Sequence, residues 1–301
     1  MWGSIEVLLS LPAYNVGLIL NGLCVGAVFA LAAYGLALVW GVMNVKNLAQ
    51  GEFVIMGGYL AWYMAKTTGM NPLLTLPIVA VVMFGFGWAI YVLMIRRVVD
   101  KDLFTSLLAT FGLAIVMQQA LNLAFGPEVQ VAQFGRGSVS MLGGVVSILE
   151  IKFWAFGMCI LLAGAVVAFM KFSRMGQAIR ATSQDARAAR VMGINTDRVY
   201  AFTYALNSAI CGAAGVLVAM IMVIQPYYGV THSVRSFVIV TAAGIGNLPG
   251  VIMSALGLGV IEQYSGFILG AEFQVATVVV MLLLVLIWRQ YQANRIRQVV
   301  Q

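Results

Sequence analysis

The chain has 301 residues, of which 62% are hydrophobic and only 9% charged, with a net charge of +7 and a mean hydropathy of +0.98. A soluble globule of this length carries roughly a quarter of its residues charged, so the polar surface is too small to solvate one and the composition defines an integral membrane protein. The positive balance sits in Arg and Lys between and after the apolar runs, which is the pattern of positive-inside topology and not of nucleic-acid binding.

Glu6 precedes any basic residue and the first Lys or Arg is Lys46. The basic leader of a cleaved signal peptide is thus missing, and residues from Val16 onward read as a retained span. A hydrocarbon core of about 30 Å needs about 20 apolar helical residues. Residues 16–42, 72–95, 103–125, 153–170, 200–224 and 273–288 meet that need. Two more regions are broken: 51–65 is short, and 237–269 is interrupted by Gly244-Ile245-Gly246-Asn247-Leu248-Pro249-Gly250. Arg96, Arg97 and Lys101, then the stretch 171–198, then Arg289, Arg295 and Arg297 mark the cytoplasmic side, which leaves the N-terminus outside. The expectation is an all-α polytopic membrane protein of one domain, residues 1–301, with about eight membrane segments, one or two of them re-entrant.

The first break carries Asn44, Lys46, Asn47, Gln50, Gly51 and Glu52. Backbone that leaves the helix at membrane depth must face protein or a water-filled cavity. A carboxylate there costs about 2.5 to 3.5 kcal/mol, so Glu52 should face inward with Lys46 as its nearest partner, or cap the helix beginning at Phe53 at the positive end of its dipole. The two readings are compatible. In the second break the glycines allow tight turns and Pro249 suits the first turn of the next helix. Without a third glycine or a preceding strand it is no nucleotide site, and a hinge or close-packing element is expected. A translocation route or hinge is assigned to Asn21, Asn47, Gln50, Gly51, Glu52, Asn207, Gly244, Gly246 and Asn247.

Among the remaining polar residues, Asn21, Asn207, Gln118, Gln119 and Asn122 place amides within spans, where they bond across helices. Gly22 with Gly26 and Gly212 with Gly215 suit close helix approach more than a pore lining. Cys24, Cys159 and Cys211 lie in apolar runs without CxxC or metal-ligand spacing and read as small buried hydrophobes. His232 is placed in an exposed outer loop with no role. A faint echo links the halves: Leu20-Asn21 with Gly26-Ala27 recurs as Leu206-Asn207 with Gly212-Ala213, and Phe53-Val54-Ile55 as Phe237-Val238-Ile239. Chance matching of apolar letters is the alternative. If the halves are related, the topology makes them inverted repeats, whose interface is where transporters place their pathways.

The one long polar island runs from Phe172 through Met175, Gly176, Arg180, Asp185, Arg187 and Arg190 to Arg198. Ser183 or Asp185 can cap a short helix through Arg187, Ala188, Ala189 and Arg190, with Gly193 as a left-handed stop. So short a helix is marginal alone, which points to a partner or the membrane surface beneath it. The small alanines permit close seating and the arginines charge-directed docking. A solvated basic loop that only orients the protein is the alternative.

Arg187-Ala188-Ala189 followed by Gly193 resembles the EAA-type coupling loop of ABC-importer permeases, with Arg in the Glu position. Ser173-Arg174-Met175-Gly176, Arg180-Ala181, the run from Met192 to Arg198, Asn47-Leu48-Ala49-Gln50-Gly51-Glu52-Phe53 and the second glycine-rich break are together similar to permeases of the branched-chain amino-acid ABC importers, a family that includes urea and short-chain amide importers. Gln50 departs from the usual histidine, Ala243 from a glycine, and Asn247 from a frequent serine in a way associated with the urea branch. The resemblance implies a bacterial inner-membrane permease that is not an enzyme. It also implies a second homologous permease, two cytoplasmic ATPases holding ATP and Mg, a periplasmic solute-binding protein, and an amino-acid or amide solute. Residues 171–198 become the ATPase coupling loop, working through Met175, Gly176, Arg180, Asp185, Arg187, Ala188, Ala189, Arg190 and Gly193. No G-x-x-x-x-G-K-[ST] occurs in the chain. An ion-coupled secondary transporter and a passive urea channel are the other classes carried forward.

Overall fold

The computed structural model describes residues 6, 8, 10, 12–99, 101–132, 137–141, 146–244 and 246–299. Its helices are α1 (Pro12–Met43), α2 (Gln50–Thr68), α3 (Pro72–Leu93), α4 (Leu103–Phe125), α5 (Glu150–Phe172), α6 (Arg174–Gln184), α7 (Ala186–Val191), α8 (Thr196–Ile221), α9 (Gly229–Ala243), α10 (Leu248–Ile268) and α11 (Gln274–Val299). Among the described residues seven helices are long and apolar enough to cross a bilayer: α1, α3, α4, α5, α8, α10 and α11. The all-α class holds. One short antiparallel hairpin of β1 (Ser138–Met141) and β2 (Val146–Leu149), pairing Ser138 with Leu149 and Met141 with Val146, sits between α4 and α5 and was not foreseen.

Local chemistry fixes the helix ends. Asn71 caps α3 by accepting from the Leu73 amide at 2.9 Å, and Pro72 opens the helix where its missing N–H costs nothing. Asp102 caps α4, Asn195 caps α8 and Asn247 caps α10, each accepting an amide of the first turn. Gly69 ends α2 in the left-handed region, φ 68°. The side chains that face lipid on α4, α5 and α11 are apolar and exposed, among them Leu123, Leu161 and Ile287, as helices in a bilayer allow.

The two short helices, α2 and α9, complete the barrier with the segments before them. Gln50, at the start of α2, bonds the Ala32 carbonyl in the interior of α1 and the Asn207 side chain in the middle of α8. The chain after α1 has therefore turned back into the membrane before α2 begins. The chain after α8 does the same: Ile224 and Pro226 are buried, and α9 opens at Gly229 against the first turn of α2. The first break is thus a re-entrant segment. The second break begins earlier than its glycines suggest, at residues 222–228, while Gly244 (φ 95°) and Gly246 (φ 83°) form a turn at the other end of α9, beside Arg289. Ile245 lies outside the described residues.

The weak sequence echo corresponds to an inverted repeat with exchanged partners. The most extensive helix pairings are α1 with α10 and α3 with α8, so the third helix of each half packs on the first helix of the other. A Cβ on Gly26 would lie 2.7 Å from the Ala255 carbonyl and 2.9 Å from Leu256 Cα, and one on Gly22 would lie 2.6 Å from Val260 Cα. At the matching positions of the second half, Gly212 faces Met83 and Ser208 faces Gly87. The same two sites, one helical turn apart, are used on all four helices. Close backbone approach between small residues supplies the dispersion that holds such helices together where lipid removes the hydrophobic drive. Gly57 on α2 likewise abuts Gly212, and Gly215 abuts the Val54 carbonyl. The glycine pairs pack helices, as the sequence indicated, and the three cysteines are free and buried.

Candidate functional site: a membrane-centre cluster and a basic helical elbow

The centre of the molecule is built by the meeting N-termini of α2 and α9. Gln50 Nε2 donates to the Ala32 carbonyl (2.8 Å) and to Asn207 Oδ1 (3.0 Å), and lies 2.9 Å from Cys211 Sγ. Asn47 turns the chain before α2, its Oδ1 accepting from the Ala49 amide at 3.1 Å and its Nδ2 facing Gln50 Oε1 at 3.4 Å. Ser233 of α9 ties the two helices, accepting from the Gly51 amide at 2.8 Å and donating to the Leu48 carbonyl at 2.9 Å. Asn47, Gln50, Glu52 and Asn207 are all buried. Sequence reasoning missed Ser233 and Gly229, which carry no motif. Their signal was placement on the helix that repeats α2.

Glu52 lies in the first turn of α2, with its carboxylate packed against Gly229 at the first residue of α9, where a Cβ would collide with it. Lys46 is not its partner: that ammonium stands over the Trp40 ring, 5.1 Å from the centroid. The cause is the re-entrant turn, which sends Lys46 toward the end of α1 while Glu52 goes to the centre. The carboxylate lies instead at the meeting first turns of α2 and α9, a position where a helix N-terminus favours negative charge by about 0.3 to 1 kcal/mol. Glu52 Oε2, Asn207 Nδ2 and Ser208 Oγ are buried without a hydrogen-bond partner among the described residues.

The other residues assigned to a route or hinge lie elsewhere. Asn21 sits toward the outer end of α1, donating to Gly17 and accepting from Lys152 at 2.8 Å. Asn247 is exposed, capping α10 at the opposite end beside Gly244 and Gly246. Among the described residues no bond across helices is made by Gln118, Gln119 or Asn122, and the Asn122 Oδ1 is buried without a partner. His232 is a correction: it is buried in α9 against Phe29, not exposed in a loop, because the helix starts at Gly229. Beside it stands an ion pair that no motif marked, Arg235 of α9 to Glu262 of α10 at 2.7 Å, almost fully buried. A lone Glu and a lone Arg in apolar runs were the available signal.

At the basic end, α6 and α7 form an elbow. Ser173 caps α6 through the Gly176 amide at 2.8 Å, and Gly176 lies against the Met170 backbone, where a Cβ would come within 2.6 Å. Ile179 and Thr182 bury the inner face of α6, while Arg174 and Arg180 are exposed. Met175 is half-buried. Asp185 caps α7, its Oδ1 accepting from Arg187 at 2.7 Å and Ala188 at 3.0 Å, and these amides hold its carboxyl below the usual aspartate range. Ser183 instead donates to the Arg180 carbonyl. Gly193, at φ 85°, closes the helix in the left-handed region, with its amide bonded to the Arg190 carbonyl. Of the two alanines, Ala189 is buried and Ala188 exposed; Arg187 and Arg190 point outward, and Val191 and Met192 are 86% and 81% exposed. Beside this elbow a groove of about 500 Å³ is lined by Arg190, Gly193, Asn195 and Tyr200 and closed by Asp197, which pairs with Arg96 at 3.1 Å and accepts from Tyr91 at 2.8 Å.

Inverted repeats with half-length helices meeting at mid-membrane, joined to an exposed amphipathic elbow on the basic side, define a polytopic transport protein. Residues 18–288 match the family model described as the permease component of the branched-chain amino acid transport system, and the chain belongs to that family. Over 282 residues it is 29% identical to the high-affinity branched-chain amino acid transport system permease protein LivH of Escherichia coli K12, covering 89% of this chain and 91% of that one. It is 29% identical over 286 residues to BraD of Pseudomonas aeruginosa, covering 90% and 92%. A probable LivH of Methanocaldococcus jannaschii is 26% identical over 252 residues, covering 81% and 78%. The chain is a multi-pass membrane permease subunit of an ABC importer, placed in the inner membrane in bacteria.

Proposed function

We propose that this permease carries a branched-chain or other hydrophobic amino acid inward, driven by two cytoplasmic ATPases that hold ATP and Mg. A periplasmic solute-binding protein delivers the solute, and a second homologous permease completes the pathway. Residues 171–198 are the coupling segment. The observation that carries this is the elbow itself: a capped α7 whose buried Ala189 fixes it to the permease while Arg187, Arg190, Val191 and Met192 face outward beside a groove. Exposed apolar side chains ringed by arginines suit a protein partner better than open solvent. Closure of the ATPases pushes on α7, and α6 passes the displacement to α1, α5 and α8, against which it packs.

The route runs past the membrane-centre cluster. Asn47, Gln50, Gly51, Glu52 and Asn207 brace the junction of α2 and α9, where polar atoms of Glu52, Asn207 and Ser208 are buried without a partner, so that a solute reaches them only when the two helices part. Gly244, Gly246 and Asn247 serve as the hinge of α9 and α10 rather than as pathway lining, and Asn21 braces the outer rim. The test is to purify this chain with the second permease and the ATPases expressed beside it and reconstitute the complex in proteoliposomes with the solute-binding protein. ATP-dependent leucine uptake with the ATPase retained on the column supports the reading. Uptake by this chain alone, driven by an ion gradient or by the solute gradient, contradicts it.

A further inference from the structure

The central cluster does not explain the buried ion pair. His232 and Arg235 line a cavity of about 380 Å³ bounded by the segment after α8, the start of α9 and the start of α11. Arg235 is held by two independent contacts: its Nε donates to Glu262 Oε1 at 2.7 Å, and its guanidinium carbon stands 4.8 Å from the Phe29 ring centroid. The bond to Glu262 uses Nε and leaves the two Nη groups outside it.

A buried ion pair is weak evidence for stability, since apolar residues of the same volume commonly do as well. In a membrane segment an ionisable group is costly and points to a ligand or a pathway. A guanidinium anchored through Nε presents its remaining donors as a planar fork, the geometry that binds a carboxylate at two points. Met222, Val223 and Val275 supply apolar wall, and Thr231 and Gln274 supply polar groups. The volume lies in the range of small-molecule sites.

We infer that Arg235, positioned by Glu262, is a carboxylate-binding residue at an outer solute site, which selects amino acids over urea and neutral amides. The inference rests on the importer reading and narrows its solute class. Charge-assisted bonds to a desolvated carboxylate are worth tenfold or more in affinity. Leucinamide and urea, which have no carboxylate, lose that contribution.

The test is binding of radiolabelled leucine to the assembled permease–ATPase complex in nanodiscs, without the solute-binding protein, so that discrimination belongs to the membrane subunits. Saturable binding into the millimolar range is expected, with isovalerate competing and leucinamide and isoamylamine weaker than leucine by roughly tenfold or more. Arg235→Gln should weaken leucine binding by a similar factor. The exchange Arg235→Glu with Glu262→Arg keeps a buried pair but moves the guanidinium to α10, so it should recover complex yield without recovering binding. Equal competition by leucinamide, unchanged leucine binding in Arg235→Gln, or full binding in the exchanged pair overturns the inference. In proteoliposomes with both permeases, the ATPases and the solute-binding protein, ATP-dependent uptake of urea or acetamide without leucine overturns it while leaving the importer standing, whereas no ATP-dependent uptake of any of these solutes overturns both.

Discussion

Gln50 and Asn207, 157 residues apart, meet through a 3.0 Å hydrogen bond that joins the start of α2 to the middle of α8. One residue opens the short helix of the first half, and the other belongs to the long helix of the second. The bond therefore fixes how the two repeats sit against each other.

Replacing Gln50 with Leu removes this bond, leaving the Ala32 carbonyl only its bond within α1 and Asn207 Oδ1 only the Cys211 thiol at 3.6 Å. Interhelical bonds in membranes average about 0.6 kcal/mol, but an unsatisfied buried group adds its desolvation, about 1 to 3 kcal/mol. A loss of roughly 1 to 2 kcal/mol is expected, read as a lower midpoint in thermal unfolding of the purified protein in detergent. An unchanged midpoint argues that the repeats are held by glycine packing alone.

The glycine contacts separate two cases. A Cβ at Gly26 meets the backbone of Ala255 and Leu256, whereas one at Gly212 meets Met83 Cγ, which can rotate, and Met83 Cβ at 2.9 Å, which moves only with its backbone. Overpacking costs about 1 to 3 kcal/mol. Gly26→Ala should fall at the upper end and Gly212→Ala at the lower, so that yield and thermal midpoint rank wild type, Gly212→Ala, Gly26→Ala. The reverse order conflicts with the exchanged helix pairing.

The α7 cap gives a pH dependence whose sign is fixed. Asp185 has its carboxyl held down in the folded protein by the Arg187 and Ala188 amides, so the cap contributes fully above the unfolded aspartate range and is lost as pH falls through the lower folded value. Amide hydrogen exchange over residues 186–192, corrected for the intrinsic pH effect, should accelerate in the acidic range. Asp185→Asn should remain protected with that acid sensitivity removed, because the amide oxygen also caps a helix. Equal acid sensitivity in the two proteins rules out this assignment.

Glu52 stands between two helix N-termini, and in the proposed route it braces their junction. Glu52→Gln should slow uptake severalfold with yield near wild type, since the neutral isostere keeps the shape but not the attraction to both helix ends. A normal rate removes Glu52 from the pathway.

The chain wrote some of these features plainly and hid others. Asp185, Gly193, Pro249 and the apolar runs act through local chemistry, by capping, positive φ and length, so their positions were legible. The first break was legible as polar residues within an apolar chain, but not its packing partner, because Glu52 lies against Gly229 of α9, 177 residues on, which no local pattern marks. Lys46 was the nearest cation by number, yet the re-entrant turn separates it from Glu52. His232 was misplaced for the same reason: Gly229 opens a helix only because α2 packs against it. Ser233 reaches Gly51 across 182 residues, and only the faint echo between halves hinted at that, while Arg235 and Glu262, 27 residues apart, meet because α9 and α10 pack together.

The central claim, that the exposed arginines of α7 transmit the nucleotide cycle, is tested most directly by reversing them. In proteoliposomes containing the permease, its homologous second permease, the ATPases and the solute-binding protein, Arg187→Glu with Arg190→Glu should abolish ATP-driven leucine uptake and solute-stimulated ATP hydrolysis while the permease remains inserted at normal yield. Uptake and stimulation at wild-type rates in that variant contradict the account.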